Sequence, residues 1–194
     1  MNKLYTIGYA THTLESFVDI LKKHGIKAVA DVRTKPYSSY NSIFNRETLT
    51  DYLKSHDIDY VFLGSECGAR CDDPACYTDG KVDYNLISQS THFQKGLTRI
   101  KKGLEKYSIA LMCAEKDPII CHRMILVSNN LFNMGIEINH ILSIDTIETH
   151  GESEKRLMEL YMLDQPEMFL SEQEQAQHAY YVQFQKIAHS EDTD

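Results

Sequence analysis

The sequence predicts an α/β fold, Rossmann-like, with about five mainly parallel strands, helices on both faces and further helices at the C-terminal end. Short apolar runs rich in β-branched residues alternate with amphipathic segments of ten or more residues. Glycine and proline mark the boundaries between them, and no internal repeat is present. Strands and helices that alternate in this way form βαβ units, and their right-handed crossovers place helices on both faces of a parallel sheet.

The first half of the chain supplies three predicted strands, which span residues 4–9, 26–33 and 58–65. Between the first two lies a helix with apolar residues at helical spacing, Thr13 as its cap and Gly25 as its end. A second helix is predicted over 45–57. The polar connection 66–84 is longer than most loops that only join two elements of a compact domain, and we interpret it as a functional loop.

The second half supplies two more strands and several helices. One or two helices are predicted over 85–107, and one over 118–135 that starts at Asp117-Pro118 and stops at Gly135. The two strands span 108–115 and 136–144, and the tail holds two amphipathic helices separated near Pro166. We expect one domain, 1–194, made of an α/β core, 1–150, and a helical extension, 151–194.

Size and charge narrow the class of protein. The chain has 194 residues and a net charge of −8, so one domain with a sizeable core is expected and unspecific binding to nucleic acid is disfavoured. Its apolar runs fall short of the roughly 20 residues of a membrane span, and its start does not resemble a signal peptide. We therefore expect a soluble, cytoplasmic protein. In that compartment we interpret the five cysteines as free thiols first, metal ligands second and disulfides last.

The chemically distinctive residues follow the predicted strands. Ligands of such sheets bind beyond the carboxyl ends of the strands. There lie Gly8, Tyr9 and His12 after the first strand, Asp31 and Arg33 after the second, Gly64, Glu66 and Arg70 after the third, and Cys113 and Glu115 after the fourth. The sequence therefore predicts a site at this edge.

The stretch "CAEKDPIICHRM" adds an expected anion site. If Asp117-Pro118 starts a helix, the N–H groups of Ile119, Ile120 and Cys121 face the edge and attract anions. Added positive charge would come from His122, Arg123, Arg33 and Arg70. The same field would favour a thiolate at a nearby cysteine.

Structural alternatives stay open for several of these residues. Cys113 and Cys121 can be buried small hydrophobes, Asp31 and Arg33 can pair with each other, and His12 can cap the first helix. The spacing of Cys67, Cys71 and Cys76 is wider than zinc sites usually show, so a structural metal there is disfavoured. The histidines at 24, 56, 92, 150, 178 and 189 are interpreted as surface residues.

Seven segments carry a resemblance to a family: "TIGYATHTLESF", "DVRTKPYS", "GSECGAR", "YTDGKVDY", "ALMCAEKDPIICHR", "INHIL" and "AYYVQ". Together they resemble the prokaryotic family catalogued as domain of unknown function 488. The resemblance implies a cytoplasmic Rossmann-like domain without a known reaction. Its matching positions here are Gly8, His12, Asp31, Arg33, Cys113, Glu115, Cys121, His122 and Arg123. Cys71 departs from the family pattern, which weakens the case for a shared metal site.

The function predicted first is an enzyme that acts on an anionic small molecule such as a nucleotide. Its candidate catalytic residues are Cys113, Glu115, Asp31 and His122. Its candidate ligand-binding residues are Gly8, Tyr9, His12, Arg33, Arg70, Cys121 and Arg123. No metal ligand is assigned and no cofactor is identified. A cysteine that ends a strand resembles the sulfurtransferase and cysteine-phosphatase arrangement, but the distance from Cys113 to Arg123 is too long for the phosphatase cradle.

Two other functions remain. One is a nucleotide-binding or sensing module without turnover. The other is a nucleic-acid-processing protein that uses the basic stretch 92–102, which the net charge disfavours.

Overall fold

A six-stranded sheet forms the centre of the computed structural model, which describes residues 2–167 and 169–190. Its strands are β1 (Leu4–Gly8), β2 (Ala28–Asp31), β3 (Asp59–Phe62), β6 (Ile109–Cys113), β7 (Ile138–Ser143) and β8 (Thr146–Thr149). They lie in the order β3-β2-β6-β1-β7-β8. The first five in this order run parallel, and β8 pairs antiparallel with β7. The strands β4 (Tyr77–Thr78) and β5 (Lys81–Val82) form a separate hairpin.

The five predicted strands and the mainly parallel sheet are confirmed. The sixth strand, β8, was not predicted, because its four residues "TIET" show no buried alternation: β8 is an edge strand whose side chains are largely exposed. The carboxyl edge also agrees with the prediction. Gly8 pairs with Cys113, Asp31 pairs with Phe62, and Gly64 follows two residues later.

The helices are α1 (Leu14–Lys23), α2 (Arg46–Lys54), α3 (Gly64–Cys67), α4 (Tyr84–Gln89), α5 (Thr91–Leu104), α6 (Asn129–Asn133), α7 (His150–Leu160) and α8 (Glu172–Ile187). Short 3₁₀ turns span Ser42–Phe44, Pro74–Cys76 and Pro118–Ile120, and a π-helix spans Arg123–Ser128. As predicted, Thr13 caps α1 through a capping box with Ser16, and Gly25 follows it at φ +64°.

Two apolar layers cover the sheet. On one face α1 and α2 pack their buried residues, Phe17, Val18, Leu21, Leu49 and Leu53. On the other face lie α5, the π-helix, α7 and α8, with Leu97, Leu126, Leu157, Tyr180 and Phe184. The helices from residues 151–190 therefore belong to the same core as the sheet, and residues 191–194 lie outside the described residues. Within the described residues no helix is both long and apolar enough to cross a membrane.

The predicted helix over 118–135 is wrong in its first part. Asp117 caps only a 3₁₀ turn, with its side chain accepting from the N–H of Ile119 at 3.2 Å. Cys121 is then extended, and helical backbone begins at His122. Since an acidic cap followed by proline also starts a single turn, the local signal did not fix the helix length.

Candidate functional site

Four predicted site residues meet just beyond the carboxyl end of β6. The Oε2 atom of Glu115 lies 3.0 Å from Sγ of Cys113 and 2.8 Å from Sγ of Cys121. The Nδ1 atom of His122 lies 3.7 Å from the first sulfur and 4.0 Å from the second. We call these four residues the thiol cluster. Both cysteines and His122 are buried, whereas Glu115 is half-buried.

The backbone after β6 explains this convergence. Cys113 ends the strand, and the 3₁₀ turn brings Cys121 back toward it, where the chain changes from extended to helical. The returning chain passes directly over Gly8: a Cβ atom there would lie 1.8 Å from the carbonyl oxygen of Glu115. Only glycine permits this approach, so the role of Gly8 is to position the cluster.

His122 is oriented from the neighbouring strand. Its Nε2 atom lies 2.9 Å from the carbonyl oxygen of Val32, just after β2. A carbonyl oxygen only accepts hydrogen bonds, so Nε2 carries a proton, and Nδ1 faces the two sulfurs. The hydrogen bond with Cys121 raises the pKa of this ring although burial opposes it. Val32 was not predicted as a site residue, because every residue has a backbone carbonyl and the sequence cannot indicate which one will be an acceptor.

Arg123 places a buried positive charge beside the cluster. Its side chain is 0% exposed, and it donates to the carbonyl oxygens of Glu115 at 2.6 Å and Lys116 at 2.9 Å. These partners are neutral, so the guanidinium charge is compensated by negative charge in the cluster rather than by a direct carboxylate pair. The expected role of Arg123 as an anion ligand therefore changes to that of a buried anchor for the loop.

The acidic groups of the cluster influence one another's ionisation. A hydrogen bond from Cys113 lowers the pKa of the Cys121 thiol well below its usual value although burial opposes this, and the charge of Arg123 helps. The hydrogen bond with Cys121, together with burial, raises the pKa of Cys113. Burial and the negative charge of Cys121 raise the pKa of Glu115.

The same residues are the metal-binding candidates of the described chain. Cys113, Cys121 and His122 offer ligand atoms that all lie within 4.8 Å of one another. The sequence assigned no metal ligand here, because Cys113 and the Cys121-His122 pair are separated by a spacing that matches no familiar zinc pattern.

Tyr84 adds an unsatisfied polar group near the cluster. Its side chain is buried, and its hydroxyl has no hydrogen-bond partner among the described residues. Burial raises the pKa of this hydroxyl, and so do the nearby charges of Cys121, Cys113 and Glu115. Tyr84 also lines a cavity of about 390 Å³ whose walls carry no formal charge, with Asn85, Ser88, Ile125, Asn129, Gln177 and Tyr180 among them. Buried polar groups without a partner are uncommon, so the Tyr84 hydroxyl is a candidate for a functional role.

Three other candidates, Tyr9, Asp31 and Arg33, form a second group on the opposite face of the sheet. Asp31 aligns with Met112, whose neighbour Cys113 points to the other side. Asp31 accepts from Arg33 Nη2 at 2.6 Å and from the Tyr60 hydroxyl at 2.7 Å, and the guanidinium of Arg33 lies over the ring of Tyr9. The structural alternative, in which Asp31 and Arg33 pair, is therefore observed. One atom, Nη1 of Arg33, is buried without a hydrogen-bond partner among the described residues.

His12 and Arg70 lie apart from the thiol cluster. Burial and the charge of Lys116 lower the pKa of His12, which is half-buried beside the β6 loop; the helix cap is Thr13, not His12. Arg70 lies at the end of β2, where its N–H donates to the Thr34 hydroxyl at 3.3 Å, and it lines another cavity, of about 370 Å³. The predicted anion site is thus not assembled as expected: Arg33 is paired, Arg123 is enclosed, and the N–H of Cys121 bonds to Pro118.

Two further predictions about the cysteines and histidines are wrong. Cys71 and Cys76 form a disulfide, because the 3₁₀ turn capped by Asp73 brings the buried Cys76 back to Cys71; Cys67, Cys113 and Cys121 are free. His150 is buried instead of lying at the surface. It bonds to His140 at 3.1 Å, in a core network that the sequence pattern did not reveal.

Comparison with known proteins gives one match. No curated protein and no solved structure matches the chain. The family described as domain of unknown function DUF488 matches residues 13–129, which is more than half of the sequence and includes all four residues of the thiol cluster. The chain therefore belongs to the domain of unknown function DUF488 family.

Proposed function

We propose that the protein is an enzyme that acts on a small molecule, such as a nucleotide, at the carboxyl edge of the sheet, with the thiol cluster as its reaction centre. One observation carries the proposal. Glu115 is within hydrogen-bonding distance of both buried thiols while its own side chain reaches the surface. It is thus placed to move protons between a bound molecule and the interior.

Tyr84 supplies the positioning group in this proposal. Its unpaired hydroxyl donates to the bound molecule, which removes the penalty of about 1–3 kcal/mol for a buried polar group without a partner. The uncharged cavity beside Tyr84 fits the hydrogen-bonding, neutral part of such a molecule. An anionic part would find the unpaired Nη1 of Arg33 only on the other face of the sheet.

A metabolite-conversion experiment tests the enzyme. The purified protein is incubated with a fractionated extract of small metabolites that includes nucleotides, and mass spectrometry records which compounds disappear. We expect the wild type and the control Glu137→Gln, which changes an exposed carboxylate, to consume the same compound. Glu115→Gln should leave that compound unconsumed. Retention of a compound by all three proteins without conversion would contradict the enzyme and support a binding or sensing module.

The nucleic-acid alternative gains little from the structure. The basic residues of α5 border an open groove, but Arg99 there pairs with Glu66, so part of the positive charge is already neutralised. With a net charge of −8, the chain repels a polyphosphate backbone at long range.

A further inference from the structure

We propose that the thiol cluster binds one zinc ion, with Cys113, Cys121 and His122 as ligands and Glu115 as a displaceable group at the fourth position. In its catalytic part this inference rests on the function proposed above. The occupancy of the site is measured independently of turnover.

The distances fit a tetrahedral site. Zinc bonds of about 2.0–2.3 Å at tetrahedral angles place neighbouring ligand atoms roughly 3.3–3.8 Å apart. Here Nδ1 of His122 lies 3.7 and 4.0 Å from the two sulfurs, and Oε2 of Glu115 lies 3.0 and 2.8 Å from them. Three of the ligand atoms, from Cys113, Cys121 and His122, lie within 4.8 Å of one another, whereas Glu115 falls outside that group. The Glu115 side chain must therefore move away from the sulfurs and toward Nδ1 of His122 before it can take the fourth position.

The group that supports the ligands is also present. A zinc-bound histidine commonly donates its second ring N–H to a backbone carbonyl or carboxylate, which fixes the ring. His122 makes this bond to Val32, so the neutral ring that metal binding requires has its unprotonated nitrogen toward the sulfurs. This bond forms across 90 residues of sequence and does not depend on the metal.

Charge balance favours the same occupant. Binding of Zn²⁺ would release the two thiol protons to solvent, and the resulting thiolates neutralise the metal charge. The carboxylate of Glu115 then compensates the buried guanidinium of Arg123, which donates to the neutral oxygen atoms of Thr6, Glu115 and Lys116. The buried site as a whole becomes neutral, as low-dielectric surroundings require.

The fourth position makes the site a reactive one. Structural zinc sites are closed by four firmly held ligands, whereas catalytic sites keep one position for water or substrate. Glu115 is the one half-buried member of the cluster, and the unpaired hydroxyl of Tyr84 lies on the same face of the sheet. A molecule that displaces Glu115 would therefore bind beside a carboxylate, on the face of the sheet that also holds the Tyr84 hydroxyl.

Metal analysis of the full chain tests the inference. The protein is purified without chelators, and its metal content is measured by mass spectrometry. We expect about one zinc per chain in the wild type and in Cys67→Ser, which alters a buried free cysteine outside the cluster. Cys121→Ser and His122→Asn should bind close to none. Glu115→Gln should keep its zinc, because it leaves in place the two thiolates and the imidazole that hold the ion.

A second measurement needs no variant. The wild type is stripped with a chelator, checked for folding by circular dichroism, and titrated with Co²⁺. The expected result is a thiolate-to-cobalt charge-transfer band with strong visible d–d bands, both abolished by one equivalent of Zn²⁺. A folded protein that takes up neither ion, or that holds a different metal, overturns the zinc site; so does a Cys113–Cys121 disulfide in the freshly purified chain. Zinc at full occupancy with no metabolite consumed would refute the proposed enzyme alone, and Glu115-dependent turnover without metal would refute the zinc site alone.

Discussion

The Nε2 atom of His122 and the carbonyl oxygen of Val32 lie 2.9 Å apart, which joins the loop after β6 to the end of β2. The contact holds the imidazole ring in one orientation and in one tautomer, with Nδ1 toward Cys113 and Cys121. The orientation of the reactive nitrogen is thus determined by a backbone atom of the sheet.

Replacement of His122 by alanine should destabilise the protein. The buried carbonyl of Val32 loses its partner, and an unsatisfied buried acceptor costs about 1–3 kcal/mol in the free energy of unfolding. Urea denaturation monitored by circular dichroism measures the loss. His178→Ala on the exposed side of α8 is the control and should change stability by less than about 0.5 kcal/mol. Equal effects of the two substitutions would show that the Val32 contact contributes nothing.

The buried ion pair between Asp31 and Arg33 should show strong coupling. Arg33 is only 6% exposed, so Asp31→Asn leaves a buried guanidinium without its countercharge and should cost about 3–5 kcal/mol. The double variant Asp31→Asn/Arg33→Met removes both charges and should lose less than the sum of the two single losses. Chemical denaturation of the four proteins yields the coupling energy. Strict additivity would contradict the pair as a coupled unit.

Gly8→Ala tests the close passage of the β6 loop. The new Cβ would lie 1.8 Å from the Glu115 carbonyl oxygen and 2.9 Å from Cα of Lys116, and both are backbone atoms that cannot rotate away. We expect a loss of about 1–3 kcal/mol in the free energy of unfolding. Gly151→Ala, where a Cβ meets nothing within 4 Å in α7, should cause no loss and a gain of up to about 1 kcal/mol. Thermal denaturation compares the stability of the two variants with that of the wild type. A Gly8→Ala variant as stable as the wild type would mean that the loop can move away from the new side chain.

The sequence predicted the edge of the sheet at which these residues lie but not the face. The positions and ends of the strands along the chain follow from local apolar runs and from glycine and proline, which the sequence displays directly. Whether Asp31 and Cys113 share a face depends on the register between β2 and β6, where Asp31 aligns with Met112. A shift of one residue reverses the face, and nothing local encodes that register.

The burial of His150 could not be predicted for a related reason: it depends on contacts with residues that are distant in the sequence. It begins α7, a position where a polar residue is ordinarily solvated, and its partners lie 10 and 30 residues away. The cluster residues were easier to find, because Cys113, Glu115, Cys121 and His122 stand within ten residues of one another. The tertiary contacts from Val32 and Tyr84 could not be predicted from so short a stretch.

The last prediction concerns the loss of folding stability at acidic pH. A hydrogen-bonded series leads from Thr6 through His140 and His150 to Tyr180, with lengths of 2.8, 3.1 and 3.0 Å. Burial lowers the pKa of His150 to about 4. Burial, with the charges of His150, Arg123 and Arg156, lowers the pKa of His140 well below 6.5. Both rings are therefore neutral in the folded chain and protonate near their usual pKa of about 6.5 once the chain unfolds.

The sign of the effect follows from proton uptake. Between pH 6.5 and about 4 the unfolded chain binds more protons than the folded one, so stability is complete above pH 6.5 and falls as the pH drops. Each histidine contributes a slope of about 1.4 kcal/mol per pH unit. Urea denaturation at a series of pH values should therefore give a shallower slope for His150→Gln than for the wild type, by about that amount. The exposed control His178→Gln should keep the wild-type slope, and a His150→Gln profile parallel to the wild type would show that His150 is not held neutral by burial.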